Sequence, residues 1–102
     1  MAELIPVAKK SAIAPGKGMA VDVKGTRVAV FNINGEIFAI DDTCTHAGGS
    51  LSEGDVEGNI VTCPWHGATF DVTSGNVLSE PAADSVKSYK VRVEGDDIKI
   101  EI

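Results

Sequence analysis

The chain has few of the residues on which metal and catalytic chemistry usually depend. Its 102 residues include two cysteines and two histidines, and aromatic side chains make up 5% of the total. No apolar run approaches the roughly 18 residues that span a bilayer. Residues 1–6 show no basic stretch followed by an apolar one, so we expect no signal peptide and a cytoplasmic location.

Basic residues are missing from the middle of the chain. No Lys or Arg lies between Arg27 and Lys87, a stretch that we call the acidic interval. The residues outside it hold nine bases and six acids, a net charge of +3. The overall charge of −6 argues against nucleic acid or an anionic membrane as a partner. Two interpretations fit the acidic interval: a solvated surface, or a docking face that steers the chain towards basic patches. The interval holds nine acids: Glu36, Asp41, Asp42, Glu53, Asp55, Glu57, Asp71, Glu80 and Asp84.

The chain reads as short strands separated by turns, with no long helix-period pattern. An Asn34–Gly35 pair between two apolar runs predicts a tight hairpin, and the run before it is apolar on both faces, as in a central strand. Near the C-terminus, Tyr89, Val91 and Val93 alternate with polar residues before a turn at Gly95, which predicts a terminal hairpin with one buried face. The predicted strands are 4–10, 21–24, 27–33, 36–40, 59–62, 69–72, 89–93 and 98–102.

All the cysteines and histidines lie in the loop-rich stretch between the two hairpin regions. They form two mixed local pairs, Cys44-Thr45-His46 and Cys63-Pro64-Trp65-His66, separated by 16 residues. A zinc finger would group like ligands, whereas a Rieske centre places two cysteines on one iron and two histidines on the other. The mixed pairing therefore favours a [2Fe–2S] cluster, with structural zinc or a Cys44–Cys63 disulfide as alternatives.

Segments 44–51 (CTHAGGSL) and 63–71 (CPWHGATFD) resemble the two cluster-binding boxes of the Rieske family. The turn at Ser74-Gly75 and the loop with Pro81 fit the same pattern, and length and strand layout are similar to the ferredoxin components of ring-hydroxylating dioxygenases. The resemblance implies an all-β Rieske fold, a single domain over residues 1–102. In it, a cluster-binding subdomain at about 43–84 is inserted in an antiparallel β-sandwich body.

The same resemblance implies the ligands and the function. Cys44 and Cys63 would bind the buried iron of one Rieske-type [2Fe–2S] cluster, and His46 and His66 the outer iron. The chain would be an electron carrier rather than an enzyme, passing electrons from an NAD(P)H-dependent ferredoxin reductase to a terminal oxygenase in aromatic hydrocarbon catabolism. Contacts would be transient and the chain monomeric. The alternatives are a small Rieske subunit of another oxidoreductase, such as nitrite reductase, and a zinc-stabilised interaction module.

Three positions depart from the high-potential members of the family. Those members carry two further cysteines in these loops and a serine after the second His-Gly, where this chain has Gly48, Trp65 and Ala68. Fewer hydrogen bonds to the cluster sulfurs leave more electron density on them. We therefore expect a reduction potential near the low end of the Rieske range, about −150 mV.

Overall fold

The computed structural model describes residues 3–43, 50–64, 67–78 and 85–101. Within these ranges the chain forms ten strands and two short 3₁₀ turns, Lys10–Ala12 and Leu51–Glu53, and all the strand pairs are antiparallel. No helix in the described part is long and apolar enough to cross a membrane. The strands are β1 (Leu4–Lys9), β2 (Lys17–Val23), β3 (Thr26–Ile33), β4 (Glu36–Asp41), β5 (Asp55–Glu57), β6 (Ile60–Thr62), β7 (Thr69–Asp71), β8 (Ser88–Tyr89), β9 (Val91–Glu94) and β10 (Asp97–Glu101).

The described strands form three sheets. Their orders are β1-β10-β9, β2-β3-β4-β8 and β5-β6-β7. The hairpin predicted at Asn34–Gly35 joins β3 to β4, and both turn residues have positive φ, 52° and 95°. Asn and Gly tolerate this conformation best, and a turn of this kind matches the twist of the flanking strands. The all-β fold class is confirmed.

Strand β3 is central and is buried on both faces, as its apolar run predicts. Val28 and Val30 face one core and Ala29 and Phe31 face another, because successive side chains of a strand point to opposite sides. All four are fully buried. One strand therefore connects the two halves of the molecule.

The first half, which we call the body core, lies between β3 and the β1-β10-β9 sheet. Ile98 and Ile100 of β10 are fully buried there, which confirms the predicted buried face of that strand. The prediction for the preceding strand was wrong in two respects. Tyr89 pairs with Ala39 of β4 and so belongs to the other sheet, and Val93 is 39% exposed. The chain changes sheets at Lys90, and strict alternation across 89–93 does not reveal such a change.

The second half, which we call the cluster-side core, packs the β5-β6-β7 sheet against the other face of β3. Phe70 of β7 and Val61 of β6 are fully buried with Phe31. Strand β5 was missed by the sequence analysis. It is three residues long, pairs with β6 alone, and exposes both of its acids. A strand of three residues with a single apolar side chain is too short to show an alternation of apolar and polar residues in the sequence.

Candidate metal centre

The first predicted ligand pair lies between two bridged residues. Cys44 and His46 are outside the described residues, but the flanking Thr43 and Ser50 form an antiparallel bridge. Next to it, the N–H of Leu51 donates to the carbonyl oxygen of Asp42 over 2.7 Å. Segment 44–49 therefore begins and ends at neighbouring points of the backbone.

The second predicted pair follows β6. Cys63 is 1% exposed and belongs to the cluster-side core, and its N–H donates to the carbonyl oxygen of Ala68 over 2.7 Å. Trp65 and His66 lie between these two positions and are outside the described residues. Gly67, with a φ of +76°, turns the chain back towards β7. Cys63 and Ala68 are thus held together by a backbone hydrogen bond, and both are buried.

A third segment, 79–84, contains the predicted Pro81 loop and is also outside the described residues. The residues on either side of this segment are bonded to each other. Val86 N–H donates to the Gly75 carbonyl oxygen over 2.9 Å, and Val77 N–H donates to the Ser85 hydroxyl over 3.1 Å. Gly75 has a φ of +81°, and a Cβ there would lie 2.2 Å from the carbonyl oxygen of Val86. Both the positive φ and the close approach of the Val86 carbonyl therefore require glycine at position 75.

A buried polar network beside the first segment was missed by the sequence analysis, which counted Asp42 among the surface acids. The Asp42 side chain is 2% exposed and accepts from the Ser50 hydroxyl, from Ser52 N–H at 2.8 Å and from Arg27 Nε at 2.8 Å. Burial raises the pKa of this carboxyl, but these hydrogen bonds outweigh it and hold the pKa below its usual range. An acid directly after an apolar strand, followed by two nearby serines, is the signal that could have revealed the network.

The acidic interval divides into buried and exposed members. Asp42 cannot contribute to a docking surface, because its carboxylate is enclosed. The sequence interpretation that counted it there was wrong. Glu80 and Asp84 lie outside the described residues. Four described acids of the interval are exposed: Glu36, Glu53, Asp55 and Glu57.

The described surroundings of Cys63 fit a ligand of a buried iron. A thiolate is the donor that iron–sulfur clusters require, and burial among apolar side chains disfavours an uncoordinated thiolate. Ala68 and Leu51, both fully buried, lie in the same apolar core as Cys63. The donor type and the buried setting therefore suit Cys63 as a thiolate ligand of an iron–sulfur cluster.

The chain matches known proteins along most of its length. The family model for the Rieske [2Fe-2S] domain matches residues 3–90. The ferredoxin component of the naphthalene 1,2-dioxygenase system of Pseudomonas aeruginosa is 37% identical over 90 residues, which are 88% of this chain and 86% of that protein.

Solved structures agree with this match. The ferredoxin of carbazole 1,9a-dioxygenase from Nocardioides aromaticivorans IC177 superposes with a TM-score of 0.91 at 31% identity, covering 95% of both chains. A second similar chain comes from a complex of reduced oxygenase and oxidized ferredoxin in carbazole 1,9a-dioxygenase. Its TM-score is 0.88 at 32% identity, covering 95% of this chain and 91% of that one. The chain therefore belongs to the Rieske [2Fe–2S] domain family, and its cofactor is a Rieske-type [2Fe–2S] cluster.

Proposed function

We propose that the chain is a ferredoxin that carries single electrons to the terminal oxygenase of an aromatic-ring dioxygenase system. Its cluster, when bound, supplies a centre that accepts and releases one electron. The ligands in this proposal are Cys44 and Cys63 on the inner iron and His46 and His66 on the outer iron. The proposed domain is a single one over 1–102, with residues 43–84 forming the cluster-binding part.

The observation that carries this proposal is the match to ferredoxin components over most of the chain. The similar proteins are named as ferredoxins of dioxygenase systems, and the chain spans 86% of one and 95% of another. One similar ferredoxin was solved in complex with its oxygenase. The burial of Cys63 and its backbone bond to Ala68 support its assignment as a cluster ligand.

The charge distribution supports transient docking. Along the sequence, the exposed acids of the acidic interval lie close to the segments that carry the proposed ligands. Charged surfaces of this kind speed the encounter with basic patches on a partner. We expect a monomeric protein in the cytoplasm that is reduced by an NAD(P)H-dependent ferredoxin reductase. Its interfaces with both partners are small and partly polar.

The buried Ala68 supports a low reduction potential. A methyl group there offers no hydroxyl to hydrogen-bond a cluster sulfur, and the side chain is fully enclosed. We expect a midpoint near the low end of the Rieske range, about −150 mV. A redox titration with a clearly positive midpoint would contradict this expectation.

The function can be tested with the purified holoprotein. The reduced protein should give the low average g value that distinguishes histidine-ligated clusters from all-cysteine ones. It should then support substrate oxidation when mixed with a ferredoxin reductase and a ring-hydroxylating oxygenase, at a rate that falls as salt rises. A colourless zinc protein, or a chain found only in a permanent complex with another oxidoreductase, would overturn the proposal.

A further inference from the structure

Asp42 is a buried charge whose position is not explained by the strand it follows. The side chain is 2% exposed, and a buried carboxylate is costly unless hydrogen bonds and a counter-charge compensate it. A hydrophobic residue at this buried position would carry no such cost. The contacts of the carboxylate must therefore explain why a charged residue is present at this buried position.

Its contacts join the two ends of segment 44–49. Asp42 lies two positions before the segment, whereas the donors Ser50 and Ser52 lie one and three positions after it. The Ser50 hydroxyl donates to Oδ2, and Ser52 N–H donates to Oδ1 over 2.8 Å. The backbone repeats the connection, since Leu51 N–H donates to the Asp42 carbonyl oxygen over 2.7 Å. One residue thus ties the entry of the segment to its exit.

Arg27 supplies the counter-charge. Its Nε donates to Asp42 Oδ2 over 2.8 Å, while 61% of the arginine side chain is exposed. Asp42 N–H also donates to the Arg27 carbonyl oxygen over 3.2 Å. The carboxylate is therefore bonded to the start of β3 as well as to the residues after the segment. These bonds fix the position of Asp42 relative to the sheet.

We propose that Asp42 is a positioning residue for the iron–sulfur cluster: its carboxylate holds the two ends of segment 44–49 together and so fixes where Cys44 and His46 are presented. This inference rests on the proposed ligand assignment. Neutral substitutes cannot do the same. An asparagine keeps one accepting oxygen but turns an NH₂ group towards a site that faces three donors.

The test compares Asp42→Asn with Asp96→Asn in the holoprotein. Asp96 is the matched control, because its carboxylate also accepts from an N–H and from a hydroxyl, both of Ser11, at 2.9 and 2.7 Å, but these bonds join the Lys10–Ala12 turn to the turn between β9 and β10. The readouts are the rate of iron loss to a chelator, the g values of the reduced cluster and the midpoint of thermal unfolding.

Asp42→Asn should release iron about 10- to 100-fold faster than the wild type, as expected for a residue that orients a ligand, and should shift the g values. Asp96→Asn should keep the wild-type release rate and spectrum even where its unfolding midpoint falls. Equal iron release from Asp42→Asn and wild type, or equal acceleration by both variants, overturns the inference.

A milder variant covers the case in which Asp42→Asn does not fold. Ser50→Ala removes one of the three side-chain contacts, and iron release from it should be faster than from the wild type. A wild-type rate for Ser50→Ala in that case contradicts the inference. The outcomes remain separate from those of the proposed function. A wild-type protein without a histidine-ligated signature contradicts both, whereas an Asp42 variant that behaves as wild type contradicts the positioning role alone.

Discussion

The two sides of β3 are stabilised by different physics. On the body side, long strands bury alternating aliphatic residues, and Ile98 and Ile100 pack fully against Val28 and Val30. On the cluster side, the strands of the third sheet are three residues long, and the chain before and after them is held by backbone bridges, a buried carboxylate and glycines in addition to an apolar core. We therefore expect packing to dominate the stability of the body, and specific local contacts and the metal centre to add to packing on the cluster side.

The difference follows from what each side must do. Burial of aliphatic side chains contributes about 25 cal/mol per Å² wherever the shapes fit, so the body tolerates many solutions. Loops that present ligands cannot bury much apolar surface, and each must hold its ends in one geometry. A metal centre then adds stability in the folded state only. We expect substitutions on the two sides to be separable.

The largest effect is expected from Cys63→Ser on the cluster side. A serine hydroxyl is a poor iron ligand, so the purified variant should lack the cluster and its colour, while far-ultraviolet circular dichroism still reports the β body. Val61→Ala is the control, since it also alters a fully buried position of the same core but removes no ligand. Its iron content should match the wild type. A red-brown Cys63→Ser protein with normal iron would refute the assignment.

A substitution in the body core should do the reverse. Ile100→Ala removes a fully buried aliphatic side chain and should lower the free energy of unfolding by about 2–5 kcal/mol. The cluster spectrum should stay unchanged while the protein is folded. The exposed Val93 in the same sheet provides the comparison, with an expected change for Val93→Ala within about 0.5 kcal/mol. An altered cluster signal in folded Ile100→Ala would show that the two sides are coupled.

This division also explains what the sequence could predict. The body strands β3, β4 and β10 were located from apolar runs and an Asn34–Gly35 turn, because those patterns depend on local chemistry. The proposed ligands were recognisable because cysteine and histidine are so rare in the chain. Asp42 was misread, since nothing local distinguishes a surface acid from one whose donors approach from residues 27, 50 and 52. The sheet change before Val91 was missed for the same reason: it is decided by tertiary pairing.

Gly75→Ala tests the backbone contact that closes segment 79–84. Gly16 is a matched control, because its φ is also +81° but no atom lies within 4 Å of the position a Cβ would take. Gly16→Ala should cost only the left-handed strain of about 1–2 kcal/mol. Gly75→Ala should cost about 1–3 kcal/mol more, since its Cβ would meet the Val86 carbonyl. Chemical denaturation of both variants measures the difference. Equal costs would mean that the backbone at residue 86 moves away freely.

The smallest effect concerns Tyr89, which joins β8 to the body. Its hydroxyl donates to Asp41 Oδ1 over 2.5 Å, the Lys87 ammonium lies 5.1 Å from its ring centre, and burial together with the Asp41 carboxylate raises the pKa of the phenol. Because the folded-state pKa lies above the unfolded value of about 10, this contribution to stability is complete below that pH and is lost as the pH rises through and beyond it.

Tyr89 is the single tyrosine of the chain, so its ionisation can be followed by ultraviolet difference absorbance without assignment. The folded protein should show no tyrosinate near pH 10, and the free energy of unfolding should decline above that pH. Tyr89→Phe should lose about 0.5–1.5 kcal/mol at neutral pH and should show a weaker alkaline decline. Its cluster spectrum should not change, because the bond that it removes belongs to the body. Phenol titration at its ordinary pKa in the folded wild type would mean that the bond to Asp41 is not maintained, and the β4–β8 pairing would then rest on backbone bonds alone.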